Sequence, residues 1–201
     1  MESDLKPYMK NAEIHKLIEY LFNATNYYEF GSGGSTLLAC KMNVPNITTV
    51  EYDLEWYNKL KQHQFINKKI ENNTLEIKLF NLNCVWWKYV SWASTPKSIE
   101  NVNKEDWERY SCSIFECERT QDLILVDGRF RVNCALNSYY KMDSNSYLLF
   151  HDYTIRPQYH IIEKFFNLVD NQDTLSVFQK KSNIDELELL ECIDKYKYFI
   201  D

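Results

Sequence analysis

Glycine is scarce in this chain, which has only four glycines in 201 residues. Three of them fall between Gly31 and Gly34, and the fourth is Gly128. Glycine tolerates a positive φ without strain, so a chain that otherwise avoids it keeps it where the backbone turns tightly or a ligand approaches closely. The cluster therefore predicts a nucleotide-type ligand lying over the end of a strand.

The chain also lacks the marks of several other protein classes. No apolar stretch approaches the about 20 residues that a transmembrane helix needs, so no membrane insertion is expected. The six cysteines form no C-x-x-C pair, and without a secretory signal they are predicted to be reduced thiols in the cytoplasm. A formal charge of −6 argues against a nucleic-acid partner, because phosphate binding usually requires a basic surface.

Apolar residues recur along the chain in an order that alternates between strand and helix spacing. The alternation predicts one α/β domain over 1–201: a Rossmann-like, doubly wound sheet, mostly parallel, with an antiparallel strand at its C-terminal edge. Residues 1–25 hold a predicted N-terminal helix, 159–168 a later helix, and about 83–118 an insertion or lid with four of the five tryptophans. The predicted strands are 27–30, 47–52, 75–80, 122–126, 147–150, 174–180 and 187–193, the last of which could be helical.

The glycine cluster lies in the stretch Glu29–Thr36, which follows a predicted strand and precedes a predicted helix. In that context backbone N–H groups and the start of the helix can face a polar ligand. The dinucleotide fingerprint G-x-G-x-x-G requires glycine at position 36, where this chain has threonine, so a nicotinamide-dependent oxidoreductase is the less favoured alternative. Glu51 ends the second strand 20 residues after Gly31, a spacing that suits acceptance of both ribose hydroxyls. Tyr52 follows it and could pack beside an adenosine.

Polar side chains also end the next two buried strands, with Asp127 after one and His151–Asp152 after the other. The carboxyl ends of parallel strands face a common crevice, so these residues should converge. In one hypothesis Asp127 or His151 is a general base that takes a proton from a substrate hydroxyl, and the predicted catalytic residues are Asp127, His151 and Asp152. In the other, Asp127 and Asp152 bind a divalent cation, Mg²⁺ or Mn²⁺, that acidifies the hydroxyl.

Arginines follow both acidic turns: Arg129 and Arg131 come after Asp127, and Arg156 comes after Asp152. Their guanidinium groups could anchor a carboxylate or phosphate, or pair with the two aspartates. The predicted substrate contacts are Arg129, Arg156 and Tyr153.

Four segments in order, 29–36, 49–56, 122–131 and 149–153, resemble class I S-adenosylmethionine-dependent methyltransferases. They look like the branch with E-x-G-S-G-G-S-T and V-D-G-R-F-R-V motifs. The resemblance implies a seven-stranded sheet, with S-adenosylmethionine as cofactor, Glu51 on its ribose, and Asn81 or Asn83 near its adenine. The cofactor contacts are then Glu29, Gly31, Ser32, Gly33, Ser35, Thr36, Glu51, Tyr52 and Asp127.

Similar domains occur in large, chlorovirus-like DNA viruses that build their own glycans, including as the last domain of a multidomain glycosyltransferase. By this analogy the acceptor is a saccharide or glycan hydroxyl, such as one on a deoxyhexose like rhamnose. The chain would then be one domain of a larger viral protein in the host cytoplasm. A non-catalytic module that docks a partner is a further alternative, and the joint presence of Glu29, Glu51, Asp127 and Asp152 speaks against it.

Overall fold

The computed structural model describes residues 5–82, 84–85, 95–96 and 104–199. The strands of its central sheet are β1 (Asn26–Phe30), β2 (Asn46–Glu51), β3 (Leu75–Leu79), β6 (Leu123–Val126), β7 (Tyr147–Phe150), β8 (Phe166–Gln172) and β9 (Leu175–Lys180), while β4 (Cys84–Val85) and β5 (Thr95–Pro96) form a separate pair. The seven-stranded sheet has the order β3-β2-β1-β6-β7-β9-β8. The first five strands in that order run parallel, whereas β9 pairs antiparallel with β7 and β8 antiparallel with β9. The predicted fold is confirmed.

Helices cover both faces of the sheet. They are α1 (Asn11–Leu21), α2 (Gly34–Lys41), α3 (Leu54–Gln62), α4 (Gln64–Glu71), α5 (Lys104–Cys112), α6 (Arg131–Ser138) and α7 (Glu186–Tyr196), with 3₁₀ helices at Ser113–Glu116, Tyr139–Lys141 and Pro157–Lys164. Neighbouring residues of a strand point to opposite faces, and accordingly Tyr27 and Tyr28, both fully buried, belong to different apolar clusters. One cluster includes residues of α1 to α4, and the other includes residues of α5 to α7. Burial on both faces explains the continuous apolar run of β6.

The C-terminal third differs from the predicted elements. The helix predicted over 159–168 is wrong at its end, because a 3₁₀ helix stops at Lys164 and β8 begins at Phe166. Residues 187–193 belong to α7, so the helical alternative is confirmed there. Asp185 begins that helix, since its side chain accepts the backbone N–H groups of Leu187 and Glu188.

The topology brings the carboxyl ends of β1, β2, β6 and β7 to one edge of the sheet. The chain order reverses between β1 and β6, and ligands of open α/β sheets bind at such a point. Part of the predicted lid, including Trp86, Trp87 and Trp92, lies outside the described residues, as does Asn83. Trp107 lies in α5 and is buried in the core. Among the described helices, none is long and apolar enough to cross a bilayer.

Candidate functional site

Two glycines allow the ends of β1 and β6 to touch. Gly31 has a φ of +95°, and a Cβ built on it would lie 2.7 Å from the Cα of Gly128. A Cβ on Gly128 would in turn overlap the hydroxyl oxygen of Tyr110, a buried residue of α5. A side chain at either position would therefore push the two strand ends apart.

The other two glycines begin α2 and have different surroundings. A Cβ on Gly34 would overlap the backbone of Lys6 and Pro7, because the N-terminal segment crosses over the start of the helix. Gly33 has ordinary contacts only, with the Trp56 indole 3.8 Å from its ideal Cβ. The Trp56 indole N–H donates to the carbonyl oxygen of Ser32 at 2.8 Å, which fixes the turn from outside.

Glu29 stabilises the same turn by hydrogen bonds from the core side. Its fully buried carboxylate accepts the hydroxyls of Ser35 and Thr36, and the Gly33 N–H donates to Thr36 Oγ1 at 2.9 Å. Burial raises the pKa of Glu29 to about 8, against the lowering effect of the two hydroxyls. The arrangement does not support the predicted direct contacts of Glu29, Ser35 and Thr36 with the cofactor. These three side chains hydrogen-bond to one another instead and so shape the turn.

The raised pKa of Glu29 predicts how stability changes with pH. The folded protein holds this proton more tightly than the unfolded chain, whose glutamate pKa is near 4.5. The stabilising contribution is therefore complete below the unfolded pKa and is lost as the pH rises towards 8. We expect the melting temperature to fall by several degrees between about pH 6 and about pH 9, at about 2–4 °C per kcal/mol. Glu29→Gln should show a smaller fall in calorimetric scans, and equal falls in both proteins would contradict this account.

Glu51 is buried at the end of β2 and is surrounded by donors. Its Oε2 accepts the Ser32 hydroxyl at 2.6 Å, and its Oε1 accepts the backbone N–H groups of Tyr52 and Asp53 at 2.8 and 2.9 Å. Burial raises its pKa to about 7, although these three donors oppose the shift. The Ser32 hydroxyl thus occupies the place that a ligand hydroxyl could take on this carboxylate.

Tyr52 connects the end of β2 with the end of β6. The guanidinium carbon of Arg129 lies 5.6 Å from the centre of the Tyr52 ring, a cation–π contact. Both side chains are partly buried. The predicted adenosine-side residue and one predicted substrate residue therefore lie together at the edge of the crevice.

Asp127 is a partly exposed acid of the site, with 21% of its side chain accessible. Its Oδ1 lies 2.9 Å from His151 Nδ1 and 3.3 Å from Arg131 Nη2. Burial raises its pKa, but the hydrogen bond from His151 and the charge of Arg131 outweigh burial, so the pKa of Asp127 lies below its ordinary value. Asp127 is therefore ionised near neutral pH.

Arg131 joins the two acidic turns. Its Nη1 donates to the carbonyl oxygen of His151 at 2.7 Å and contacts Asp152 Oδ2 at 3.3 Å. Arg156 reaches the same Asp152 oxygen at 3.1 Å. Asp152 itself has a φ of 60°, which turns the chain sharply after β7. The ion-pair alternative for Arg131 is confirmed.

The structure gives no support to the predicted metal site at Asp127 and Asp152. Within residues 5–82, 84–85, 95–96 and 104–199, no group of three or more His, Cys, Asp or Glu residues could hold a metal ion. Arg131 contacts both carboxylates and supplies the positive charge between them.

Two predicted roles are corrected by the positions of the side chains. Tyr153 is a core residue rather than a substrate contact: its ring packs against Phe150 and Phe178, and its hydroxyl donates to Glu163 Oε1 at 2.7 Å. His151 is too deeply buried to meet a substrate directly, with 8% of its side chain exposed. Of the predicted substrate contacts, Arg156 is 34% exposed and Arg129 is partly buried at the crevice.

Comparisons with known proteins bear on the fold of the chain. No protein-family model and no curated protein matches the chain. Among solved structures, a methyltransferase-like protein from Silicibacter pomeroyi DSS-3 has a TM-score of 0.76 and 25% identity, covering 96% of this chain and 97% of its own.

More distant structures share the fold alone. A methyltransferase from Geobacter sulfurreducens has a TM-score of 0.54 and 9% identity, covering 87% of this chain and 80% of its own. A candidate caffeoyl-CoA O-methyltransferase from Staphylococcus aureus has a TM-score of 0.56 and 12% identity, covering 88% and 86%. The predicted methyltransferase class is confirmed at the level of the fold: the chain has the fold of the class I methyltransferases.

Proposed function

We propose that the chain is an S-adenosylmethionine-dependent O-methyltransferase that methylates a hydroxyl of a saccharide or glycan. The observation that carries the proposal is that two carboxylates lie on the two sides of the Gly31 turn. Glu51 accepts a hydroxyl in a buried position on the β2 side, and the ionised Asp127 is partly exposed on the β6 side. The first suits a ribose, and the second suits an acceptor.

The residues of the glycine turn fit the cofactor. Glu51 would accept its ribose hydroxyls in place of the Ser32 hydroxyl, and the backbone of Gly31 and Gly33 would let it approach closely. Tyr52 would pack beside its adenosine. When bound, the cofactor supplies a methyl group on a sulfonium, which is an electrophile with a positive charge.

Asp127 is suited to receive the proton of the acceptor hydroxyl. Its Oδ1 is occupied by His151 and Arg131, and no described residue hydrogen-bonds to Oδ2, so Oδ2 can accept from the acceptor. As the acceptor oxygen gains the methyl group, its proton becomes strongly acidic, and a carboxylate with a lowered pKa can then take it. The residue thereby both aligns the oxygen and removes the proton.

The charges around Asp127 suit a polyhydroxylated acceptor. Asp127 and Asp152 accept hydrogen bonds, Arg129 and Arg156 donate them, and each sugar hydroxyl can do both. We include in the proposal a deoxyhexose such as rhamnose as acceptor and a place for this domain within a larger glycan-building chain. These finer parts rest on the sequence resemblance.

Replacing Glu51 with glutamine tests the ribose role. Glutamine keeps one acceptor oxygen and loses the charge, so affinity for S-adenosylhomocysteine should fall on the order of ten- to a hundredfold. Because the pKa of Glu51 is about 7, wild-type affinity should also weaken as the pH falls through neutrality, whereas the variant should not respond. Titration calorimetry measures both effects, with Glu55→Gln, an exposed acid in α3, as the matched control. Unchanged affinity in Glu51→Gln would remove the ribose assignment.

The acceptor is tested by incubating the protein with S-adenosylmethionine labelled in its methyl group and, in parallel, with panels of free saccharides, phenols and carboxylates. The proposal predicts label in a sugar as an alkali-stable methyl ether. Transfer to phenolic or carboxylate acceptors alone would contradict the saccharide assignment while leaving methyl transfer intact.

A further inference from the structure

His151 is enclosed between carboxylates from opposite sides of its ring. Its Nδ1 lies 2.9 Å from Asp127 Oδ1 and 4.0 Å from Asp152 Oδ1, and its Nε2 lies 3.6 Å from Glu13 Oε2 in α1. The 3.6 Å separation is an ion-pair distance rather than a hydrogen bond. Arg131 is the cation beside this group, through Asp127 and the His151 carbonyl oxygen. The ring is thus held in one orientation.

Glu13 is a buried acid, and acids are almost never fully buried unless they are paired. Its side chain is 2% exposed. Its Oε1 accepts the Thr174 N–H at 2.8 Å and the Thr174 hydroxyl at 2.6 Å, and its Oε2 accepts the Lys10 N–H at 2.8 Å. Burial raises its pKa, but these donors and the charge of His151 bring the pKa below its ordinary value. Glu13 is therefore a fixed anion that faces Nε2.

We propose that Glu13 is a positioning residue of the methyl-transfer site, which holds the His151 imidazole against Asp127 so that Asp127 presents Oδ2 to the acceptor hydroxyl. The inference rests on the proposed function of Asp127. The N-terminal helix α1 would then contribute to the catalytic centre as well as packing on the sheet.

The geometry gives Glu13 an effect that a simple packing role would not have. With Glu13 on one side and Asp127 on the other, both ring nitrogens face an anion, an arrangement that favours a proton on each nitrogen and donation from Nδ1 to Asp127. Without the anion at Nε2, the ring is held from one side only, and its Nδ1–H can turn out of line with Asp127 Oδ1. Asp127 then keeps Arg131 but loses its fixed His151 donor, so Oδ2 can shift away from the acceptor.

The test is Glu13→Gln, compared with Glu19→Gln on the same helix, where Glu19 is 64% exposed and paired only with Lys16 among the described residues. A glutamine that keeps its oxygen on Thr174 turns an NH₂ group towards Lys10 N–H and His151 Nε2, and so cannot accept from them. We expect kcat to fall on the order of ten- to a hundredfold in Glu13→Gln, with the Kd of S-adenosylhomocysteine within twofold of wild type. Glu19→Gln should match wild type in both. A wild-type kcat in folded Glu13→Gln would overturn the proposal, as would an equal loss of cofactor affinity.

A second measurement does not depend on turnover, and it observes His151 in the wild-type protein. ¹⁵N NMR of the histidine rings in the wild-type protein near pH 7, with His151→Asn used to assign the signal, should show both nitrogens of His151 protonated. An unprotonated Nε2 would overturn the proposal. If the wild-type protein transfers no methyl group, the proposed function fails, and the NMR result still decides whether Glu13 and Asp127 hold this ring.

Discussion

Replacing Asp127 with asparagine is expected to reduce methyl transfer about a hundred- to ten-thousandfold, the range for loss of a general base. The asparagine oxygen can still accept from His151, so the turn after β6 should keep its shape. What disappears is the charge that orients the acceptor hydroxyl and the site that takes its proton. Turnover with labelled S-adenosylmethionine measures the effect, and calorimetry with S-adenosylhomocysteine should show nearly unchanged binding.

Asp194→Asn is a suitable control for this variant, because Asp194 is an exposed acid of α7, with 75% of its side chain accessible. It should keep wild-type turnover. Full turnover in Asp127→Asn would show that another group takes the proton. Loss of both turnover and cofactor binding would instead assign Asp127 to the cofactor.

Gly31→Ala is expected to destabilise the protein by about 2–5 kcal/mol and to abolish cofactor binding. Two costs add: a left-handed backbone with a Cβ costs about 1–2 kcal/mol, and forcing a methyl group into a filled space costs about 1–3 kcal/mol. Here the φ is +95° and the new Cβ would lie 2.7 Å from the backbone of Gly128. The strand ends must separate, and the turn between Glu51 and Asp127 loses its shape.

Gly33→Ala is the matched control, since its Cβ would meet only the Trp56 ring at 3.8 Å, an ordinary contact. It should lower stability much less than Gly31→Ala in urea unfolding. Equal losses in the two variants would mean that glycine is needed throughout the turn for general flexibility, and not at Gly31 for close approach.

The residues of the site that could be predicted from sequence are those specified by short local patterns. A buried strand such as β6 is a continuous apolar run, and the polar residue that ends it, Asp127, must lie at the edge of the sheet. The glycine turn is equally local, because its scarce residues stand between a strand and a helix. The position of Glu51 near the same turn is predicted by its spacing of 20 residues from Gly31.

The residues that sequence reasoning missed are brought in over long distances. Glu13 lies 138 positions before His151 in the chain. Its neighbours in the sequence indicate only an amphipathic helix. The contact of Lys6 with Gly34 likewise has no local signature. Both depend on how α1 packs against the finished sheet.

The errors near the C-terminus have a different physical cause. β8 is the edge strand of the sheet, and most of its side chains are exposed or half-buried, so it lacks the alternation that marks an interior strand. Its first residue, Phe166, is buried and follows the 3₁₀ helix, which extends the apparent helical pattern across the boundary. The substrate role predicted for Tyr153 is wrong because a position after a strand end can point into the core as readily as into the crevice.

The proposed function requires that the Gly31 turn with Glu51 binds S-adenosylmethionine, so that Asp127 can then serve an acceptor. Calorimetric titration of the wild-type chain with S-adenosylhomocysteine and, separately, with NAD tests this requirement. We expect saturable binding of S-adenosylhomocysteine at one site and no binding of NAD, because Thr36 stands where a dinucleotide site requires glycine. Binding of NAD without binding of S-adenosylhomocysteine would contradict it.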